Sequence, residues 1–378
     1  MYRIKTLLTA IAFGCLLATG SAQATNTVLL ACGEDSCFGP TVVTGSSTVQ
    51  VTTSSGTFRS AWAREALYVT NSNSTGDPPS NRWTSPLFTA SSNIWIHAEF
   101  MAGNTNATAN QQALIVRSPD GVARILLRQS STALELKISS RNSVGSFTDL
   151  ATASSAFSAN ALHTMDFNIN YTCSGSGGVA LYIDGVSVAS FTGNPCTDSA
   201  TSLNEIELLS VEGYSGGVNV NCAVATPSTC WSEIIVQNFS TLGEGLLNLT
   251  PTGAGNTQGF VPNTLANINK TANNDATAIT TNTTSVQSQW TQAASIPAGS
   301  WGVLGIAQDF RVQRGSSGPQ TFLPDVRTAS TDYTGSSQSP ITSYTNFNYI
   351  WATNPNTSSS WALTDITAPL QYGLESNP

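Results

Sequence analysis

Charge is scarce in this chain. Only 10% of its 378 residues are Asp, Glu, Lys or Arg, and the 14 basic ones nowhere form a run. A protein that grips nucleic acid must neutralise a row of phosphates, so this scarcity excludes nucleic acid as a partner. The same lack, with a formal net charge of −8, argues against an anionic membrane surface. Histidine occurs twice, at His97 and His163, and no Cys-x-x-Cys pair exists, which leaves little from which to build a zinc site. The longest apolar run, Leu7 to Ala18, is shorter than the roughly 20 residues a membrane-spanning helix needs. Beyond that run, the i, i+3, i+4 spacing of amphipathic helices is almost missing, which excludes a helical bundle.

Residues 1–24 read as a secretory signal. Arg3 and Lys5 precede the apolar run, and Ala22-Gln23-Ala24 supplies small residues for cleavage. Cys15 opens a lipoprotein alternative, but Phe13 and Gly14 before it fit a lipid-attachment box poorly. The mature protein is therefore expected outside the cytoplasm, with no membrane insertion once the signal is removed. That setting favours binding, adhesion, assembly or polysaccharide hydrolysis over nucleotide-dependent chemistry. Cys32, Cys37, Cys173, Cys196, Cys222 and Cys230 remain, and an even count in an exported chain reads as disulfides. Six cysteines admit about 15 connectivities, and local clustering points to Cys32–Cys37, Cys173–Cys196 and Cys222–Cys230. Eight Trp, nine Tyr and 14 Phe are enough for large cores and speak against disorder.

Short runs with period-two alternation recur between Gly, Asn, Pro and Ser clusters, the signature of an all-β sandwich or barrel. Strands are expected at 94–101, 112–117, 123–128, 133–139, 164–171, 179–183, 186–192, 205–211 and 231–239. Ser118-Pro119-Asp120-Gly121 and Asp184-Gly185 read as hairpin turns, the second of type I′. Beyond Gly243 the stretch 250–284 reads as a long loop or weak edge strands. Strands follow at 289–294, 299–314, 321–328 and 346–353, with one short helix at 363–370 started by Thr364 or Asp365. The expected division is a signal (1–24), an N-terminal segment (25–41), a jelly roll (42–242) and a smaller β-sandwich (243–378).

The segments "LHTMDFNI" (162–169) and "GVALYIDGV" (178–186) resemble the adjacent-strand pattern of laminin-G and concanavalin-like jelly rolls, with Leu162 where that pattern carries Trp. The likeness extends over about 42–239 and implies a jelly-roll sandwich. Many such domains hold one Ca²⁺ at a loop rim, so that ion is the one cofactor left open. Asp120, Asp149 and Asp184 lie in or near turns, although the first and last are explained as turn formers. Further on, "PAGSWGVLGIAQDFRVQRGSSGPQ" (297–320), "WATNPNTSSSW" (351–361) and "LQYGLES" (370–376) are similar to modules of bacteriophage tail and virion appendage proteins. That likeness implies a structural or receptor-facing subunit.

Catalytic signals are thin. Jelly-roll glycosidases carry carboxylates on one strand, and the nearest match here is Glu205-Ile206-Glu207 with Glu212 beyond it. Glu205 and Glu207 share a face, Glu212 has the opposite parity, and the reading favours solvated acids on an exposed strand. Neither histidine has a G-x-S-x-G nucleophile signature beside it, and His163 is expected to satisfy a backbone partner. Among the tryptophans, Trp95, Trp231, Trp301 and Trp351 fall in alternating runs and are expected in cores. Trp83 and Trp361 lie in polar surroundings and are the candidates for a glycan- or partner-binding surface. The expectation is an exported, non-enzymatic structural or adhesive protein that self-associates into an oligomer or filament and presents a glycan- or partner-binding jelly roll. A monomeric secreted lectin is the alternative, and a polysaccharide hydrolase comes third.

Overall fold

The computed structural model of the protein describes residues 26–32, 37–42, 49–52, 66–70, 81–102, 112–132, 134–159, 161–209, 228–262, 264–268, 275–293, 301–367 and 370–378. Residues 1–24, read above as a signal, and Cys222, Glu212 and Trp62 lie outside them. The first part of the fold comprises β1 (Val28–Cys32), β2 (Gly39–Val42), β3 (Val49–Thr52), β4 (Ala66–Thr70), β5 (Asn81–Thr84), β6 (Asn93–Ala102), β7 (Gln112–Arg117) and β8 (Ala123–Gln129). It continues with β9 (Leu136–Arg141), β10 (Phe147–Ala153), β11 (Leu162–Asn170), β12 (Gly178–Ile183), β13 (Val186–Thr192), β14 (Glu205–Leu208) and β15 (Ser228–Gln237). The second part comprises β16 (Thr250–Gln258), α1 (Leu265–Ile268), β17 (Gln287–Ala293), β18 (Ile306–Val312), β19 (Thr321–Thr328), β20 (Thr331–Thr334), β21 (Thr345–Trp351), α2 (Leu363–Thr367) and β22 (Gln371–Asn377).

The first part is a jelly-roll sandwich of two antiparallel sheets. One runs β13-β12-β11-β6-β15-β4-β3, with β1 also paired to β15; the other runs β10-β9-β8-β7-β14-β5-β2. Strand alternation explains the packing: Ile94, Ile96, Ala98 and Phe100 of β6 meet Leu114, Val116, Ile125, Leu127, Ile206 and Leu208 of the facing sheet in one core. The two turns behave as the sequence implies. Asp184 and Gly185 take φ of 51° and 76°, the pair of positive angles a type I′ turn demands, and Gly121 (φ 77°) donates its N–H to the Ser118 carbonyl at 2.8 Å.

The second, smaller sandwich sets a five-stranded sheet, β16-β17-β22-β19-β20, against the two-stranded antiparallel sheet β18-β21. The expected weak strand in 250–284 is β16, an edge strand of this sheet. Gly373 belongs to the tight β17–β22 contact, since a Cβ there would sit 1.8 Å from the Ser288 carbonyl oxygen. The helix is shorter than expected, and the Asp365 carboxylate accepts the Ala362 N–H at 2.8 Å, one half of a capping box. A second apolar cluster joins Leu246, Leu304, Ile306, Trp351, Trp361 and Leu370 to Val28 and Ala31 of β1 and Ile235 of β15, on the outer face of the eight-stranded sheet. Across this seam Asn348 donates to the Ala31 carbonyl at 2.7 Å and accepts its N–H at 3.4 Å.

Two disulfides follow the local pairing, Cys32–Cys37 and Cys173–Cys196. Cys230 is also disulfide-bonded. Among the described residues no helix is long and apolar enough to cross a membrane. Both features are compatible with an extracellular protein.

Candidate functional site

Register places a charged layer on the outer face of the seven-stranded sheet. Ile206 and Leu208 point into the core, so their neighbours Glu205 and Glu207 point outward from β14. Glu205 pairs with Arg117 of β7, Arg117 pairs with Ala123 of β8, and Phe147 of β10 pairs with Arg141 of β9. Because Ser140 lies opposite Ile125 on the core side, the next residue, Arg141, falls outward at the level of Arg124, where β8 bulges against Arg117. The result is a row across five strands, Phe147–Arg141 at one end and Arg117–Glu205 at the other, joined at the Ala123–Arg124 bulge of β8, where Ala123 is buried, and about 19 Å long at roughly 4.8 Å per strand. That face holds Arg82, Arg117, Arg128, Lys137 and Arg141 against Glu205, Glu207 and Asp149, a basic excess in an acidic chain.

The two carboxylates of β14 have different surroundings. Glu207 is 1% exposed and is clamped by Arg82 Nε at 2.8 Å and Arg117 Nη2 at 2.8 Å. It is thus a buried ion-paired acid, which corrects the expectation of solvated acids on an open strand. Glu205 keeps 20% of its side chain exposed and lies 3.6 Å from Arg117 Nε. Partial burial, then the charge of Glu207, push its carboxyl above the ordinary value, outweighing Arg117 and Arg82. A half-buried acid inclined to hold its proton beside a fixed guanidinium is chemically suited to general acid–base work.

At the far end of the row, Phe147 is 37% exposed. The Arg128 and Arg141 guanidinium carbons lie 4.7 and 5.3 Å from its ring centroid. Asp149 accepts from Arg128 and, at 3.0 Å, from Lys137. Burial works against the Asp149 carboxylate, but the Ser139 hydroxyl, Lys137 and Arg128 outweigh it and hold the group below its usual range. An open aromatic ring flanked by cations is a surface for an anionic, ring-shaped ligand.

The opposite sheet buries a second ionisable group. His97 donates through Nδ1 to Asp166 Oδ1 at 2.9 Å, and the Thr241 hydroxyl donates to the same oxygen at 2.6 Å. Glu99, Glu233 and Glu244 surround this pair. Burial disfavours the imidazolium, yet Asp166, Glu233 and Glu99 together raise the His97 pKa above its ordinary value. Glu244, which accepts the Gln237 amide at 2.7 Å, is pushed up to about 8 by burial. His97, Asp166, Glu99 and Glu233 are each at most 1% exposed, so this group welds the loop after β15 to the sheet and offers nothing to solvent.

Ser158, His163 and Asp184 have the distances of a hydrolytic triad: Ser158 Oγ to Nε2 3.0 Å and Nδ1 to Asp184 Oδ2 2.8 Å. The Ser158 backbone N–H, however, also donates to that Nε2, at 3.1 Å. A single lone pair shared by the N–H and the O–H of one residue ties down a loop, and His163 satisfies a backbone partner as the sequence implied. A G-x-S-x-G pattern does occur, Gly213-Tyr214-Ser215-Gly216-Gly217, outside the described residues.

The tryptophan assignments are corrected. Trp83, on β5 beneath the seven-stranded sheet, is 2% exposed; Trp361 is 3% exposed and donates Nε1 to the Trp351 carbonyl at 2.7 Å. Trp83 is turned inward because Arg82 and Thr84 beside it on β5 face the other way, Trp361 packs into the second apolar cluster, and neither is a binding platform. Trp231 and Trp351 are buried as expected, whereas Trp95 is half-buried and stacks on Tyr182 at 5.8 Å on the outer face. The turn aspartates are closed on protein partners: Asp120 on Arg124 at 2.5 Å, Asp149 on Lys137, Asp184 on His163. Among the described residues, the cluster with metal-ligand spacing is Cys32, Cys37 and Asp309, and its cysteines are bonded to each other.

No protein-family model and no curated protein matches the chain. Solved structures do resemble it. The endo-β-1,4-glucuronan lyase of the fungus Trichoderma reesei aligns over 57% of this chain and 96% of its own, at 14% identity and a TM-score of 0.40. The alginate lyase vAL-1 from Chlorella virus aligns over 51% and 89%, at 9% identity and 0.34. Domain 4 of AbnA, a GH43 extracellular arabinanase from Geobacillus stearothermophilus, aligns over 59% and 95%, at 10% identity and 0.32. At these values the likeness is one of fold. The expectations of a non-enzymatic structural or adhesive subunit, and of a chain without enzyme activity, are corrected here: these three similar structures are two polysaccharide lyases and an arabinanase domain. The appendage role drawn from the C-terminal motifs is withdrawn with them.

Proposed function

We propose that this is an exported, carbohydrate-active protein that cleaves a carboxylate-bearing polysaccharide laid across the seven-stranded sheet from Phe147 to Glu205. The carrying observation is Glu205 itself: partly open, raised in pKa, and held 3.6 Å from Arg117. Phe147 takes the apolar face of a sugar ring, and Lys137 and Arg141 take its carboxylate. Glu205 gives its proton to the departing glycosidic oxygen, while Arg117 and the clamped Glu207 position it; the balance is closed either by water, which adds at the anomeric carbon and returns a proton to Glu205 (hydrolysis), or by loss of the C5 proton to solvent as the C4–oxygen bond breaks (elimination). The proposed division of the chain near residue 242, with a laminin-G-like jelly roll before it, places this whole row in the first unit.

Purified full-length protein would be incubated with polyglucuronate, alginate and polygalacturonate, following both reducing ends and the absorbance of unsaturated uronate ends. Cleavage of at least one polymer is expected, and Glu205→Gln should lower kcat by about 10²-fold or more with binding retained. Unsaturated ends would assign elimination, and reducing ends without them hydrolysis. No cleavage of any of the three, or full activity in Glu205→Gln, would overturn the proposal.

A further inference from the structure

Among its described residues, the second sandwich leaves an unfilled space between its sheets. A cavity of about 530 Å³ lies between its five-stranded sheet and the β18–β21 pair, within the roughly 300–1,000 Å³ range of small-molecule sites. Phe260, Trp290, Phe310, Phe322 and Tyr372 line it. Its charged side chains are engaged within the protein: Arg311 on Asp275 at 2.7 and 2.8 Å, Asp309 on the Asn348 amide at 2.6 Å, and Arg314 on Gln320 at 2.5 Å.

Two lining amides stand out. Asn248 Nδ2 and Gln292 Nε2 are buried, and neither has a hydrogen-bond partner. Their neighbour Gln308 shows the contrast, donating to the Asp325 carbonyl at 2.8 Å and accepting Trp351 Nε1 at 2.8 Å. A buried donor left unmet costs about 1–3 kcal/mol, and folded proteins leave few of them.

We propose that this cavity is a binding site for a small uncharged ligand with a flat apolar body and carbonyl or ether oxygens that accept from Asn248 and Gln292. The aromatic walls supply contact area, and the amides fix orientation. An ionised ligand is disfavoured because the cavity's own charges are already closed on one another. The site lies in the second sandwich, apart from the jelly-roll face, and stands or falls independently of the polysaccharide reading.

Nile red, a neutral planar dye with a carbonyl acceptor, is the probe. Titrated with full-length protein, it should show saturable binding with an emission rise. Gln292→Met and Asn248→Leu should each weaken that binding about five- to tenfold, the equivalent of one hydrogen bond. The same substitutions should raise the Tm of the ligand-free protein, because each deletes an unmet donor. A purely structural amide would move Tm the other way. Absence of saturable binding, binding unchanged in both variants, or a lowered Tm in the ligand-free variants would overturn the proposal.

Discussion

Glu244 offers the sharpest test of the energetics. Its carboxyl accepts the Gln237 amide at 2.7 Å and faces the His97–Asp166 pair, and burial moves its pKa from 4.5 to about 8. In the unfolded chain it ionises near 4.5; in the folded chain it keeps its proton until about pH 8. Between those values the native state binds more protons than the unfolded one, so stability falls as pH rises. Each pH unit in that window costs about 1.4 kcal/mol, which amounts to roughly 3 kcal/mol at pH 7 and under about 1 kcal/mol at pH 5. Glu244→Gln keeps an oxygen for Gln237 and removes the titration. Its Tm should exceed that of the parent by about 5–10 °C at pH 7, and by little at pH 5. Thermal unfolding from pH 5 to 9 measures both proteins. His97 contributes stability present below pH 6.5 and lost as pH passes its raised folded value. Asp325, pushed up to about 6 by burial, is destabilising as pH rises from 3.8 toward that value. A residual decline with pH should therefore persist in the variant. A Tm difference that is constant from pH 5 to 9, or largest at pH 5, would refute the reasoning.

Phe147→Ala should weaken polyuronate binding about threefold to tenfold with little change in kcat, measured by affinity electrophoresis beside turnover. Asn348→Ala removes both bonds to the Ala31 backbone and should lower stability by about 1–3 kcal/mol, read as faster proteolytic cleavage within 238–249. Opening Cys173–Cys196, which spans a sequence separation of 23, by replacing both cysteines with Ser should cost about 3 kcal/mol in denaturant unfolding.

Alternation made the sandwich legible. β7 and β13 fall on the expected residues, and β6, β8, β11, β12 and β15 differ by one to three residues at their ends. The period of two also put Glu205 and Glu207 on one face, as observed. What alternation cannot show is which strand lies beside β14. Only the β7 and β5 neighbours bring Arg117 and Arg82, from about 90 and 125 positions away in sequence, to the two acids. That pairing converts solvated acids into a clamped Glu207 and a proton-holding Glu205. Local polarity misled in the same way at Trp83. Arg82 and Thr84 beside it are polar because they face outward, and that same alternation turns the indole into the core. The strand expected at 133–139 forms at 136–141 instead, and Leu134 with φ 61° sits in the turn before it.

The position of β22 bears on how the chain is made. Residues 371–377 lie between β17 and β19, with a neighbour on each side. While a ribosome or an export channel is still delivering them, the two flanking strands each present an unpaired edge to whatever is near. In a crowded compartment that interval invites strand exchange between neighbouring newborn chains. Breaking the pairing of these seven residues would remove the spine of the sheet, and crowding or slow release should make the second sandwich the part most prone to misassembly.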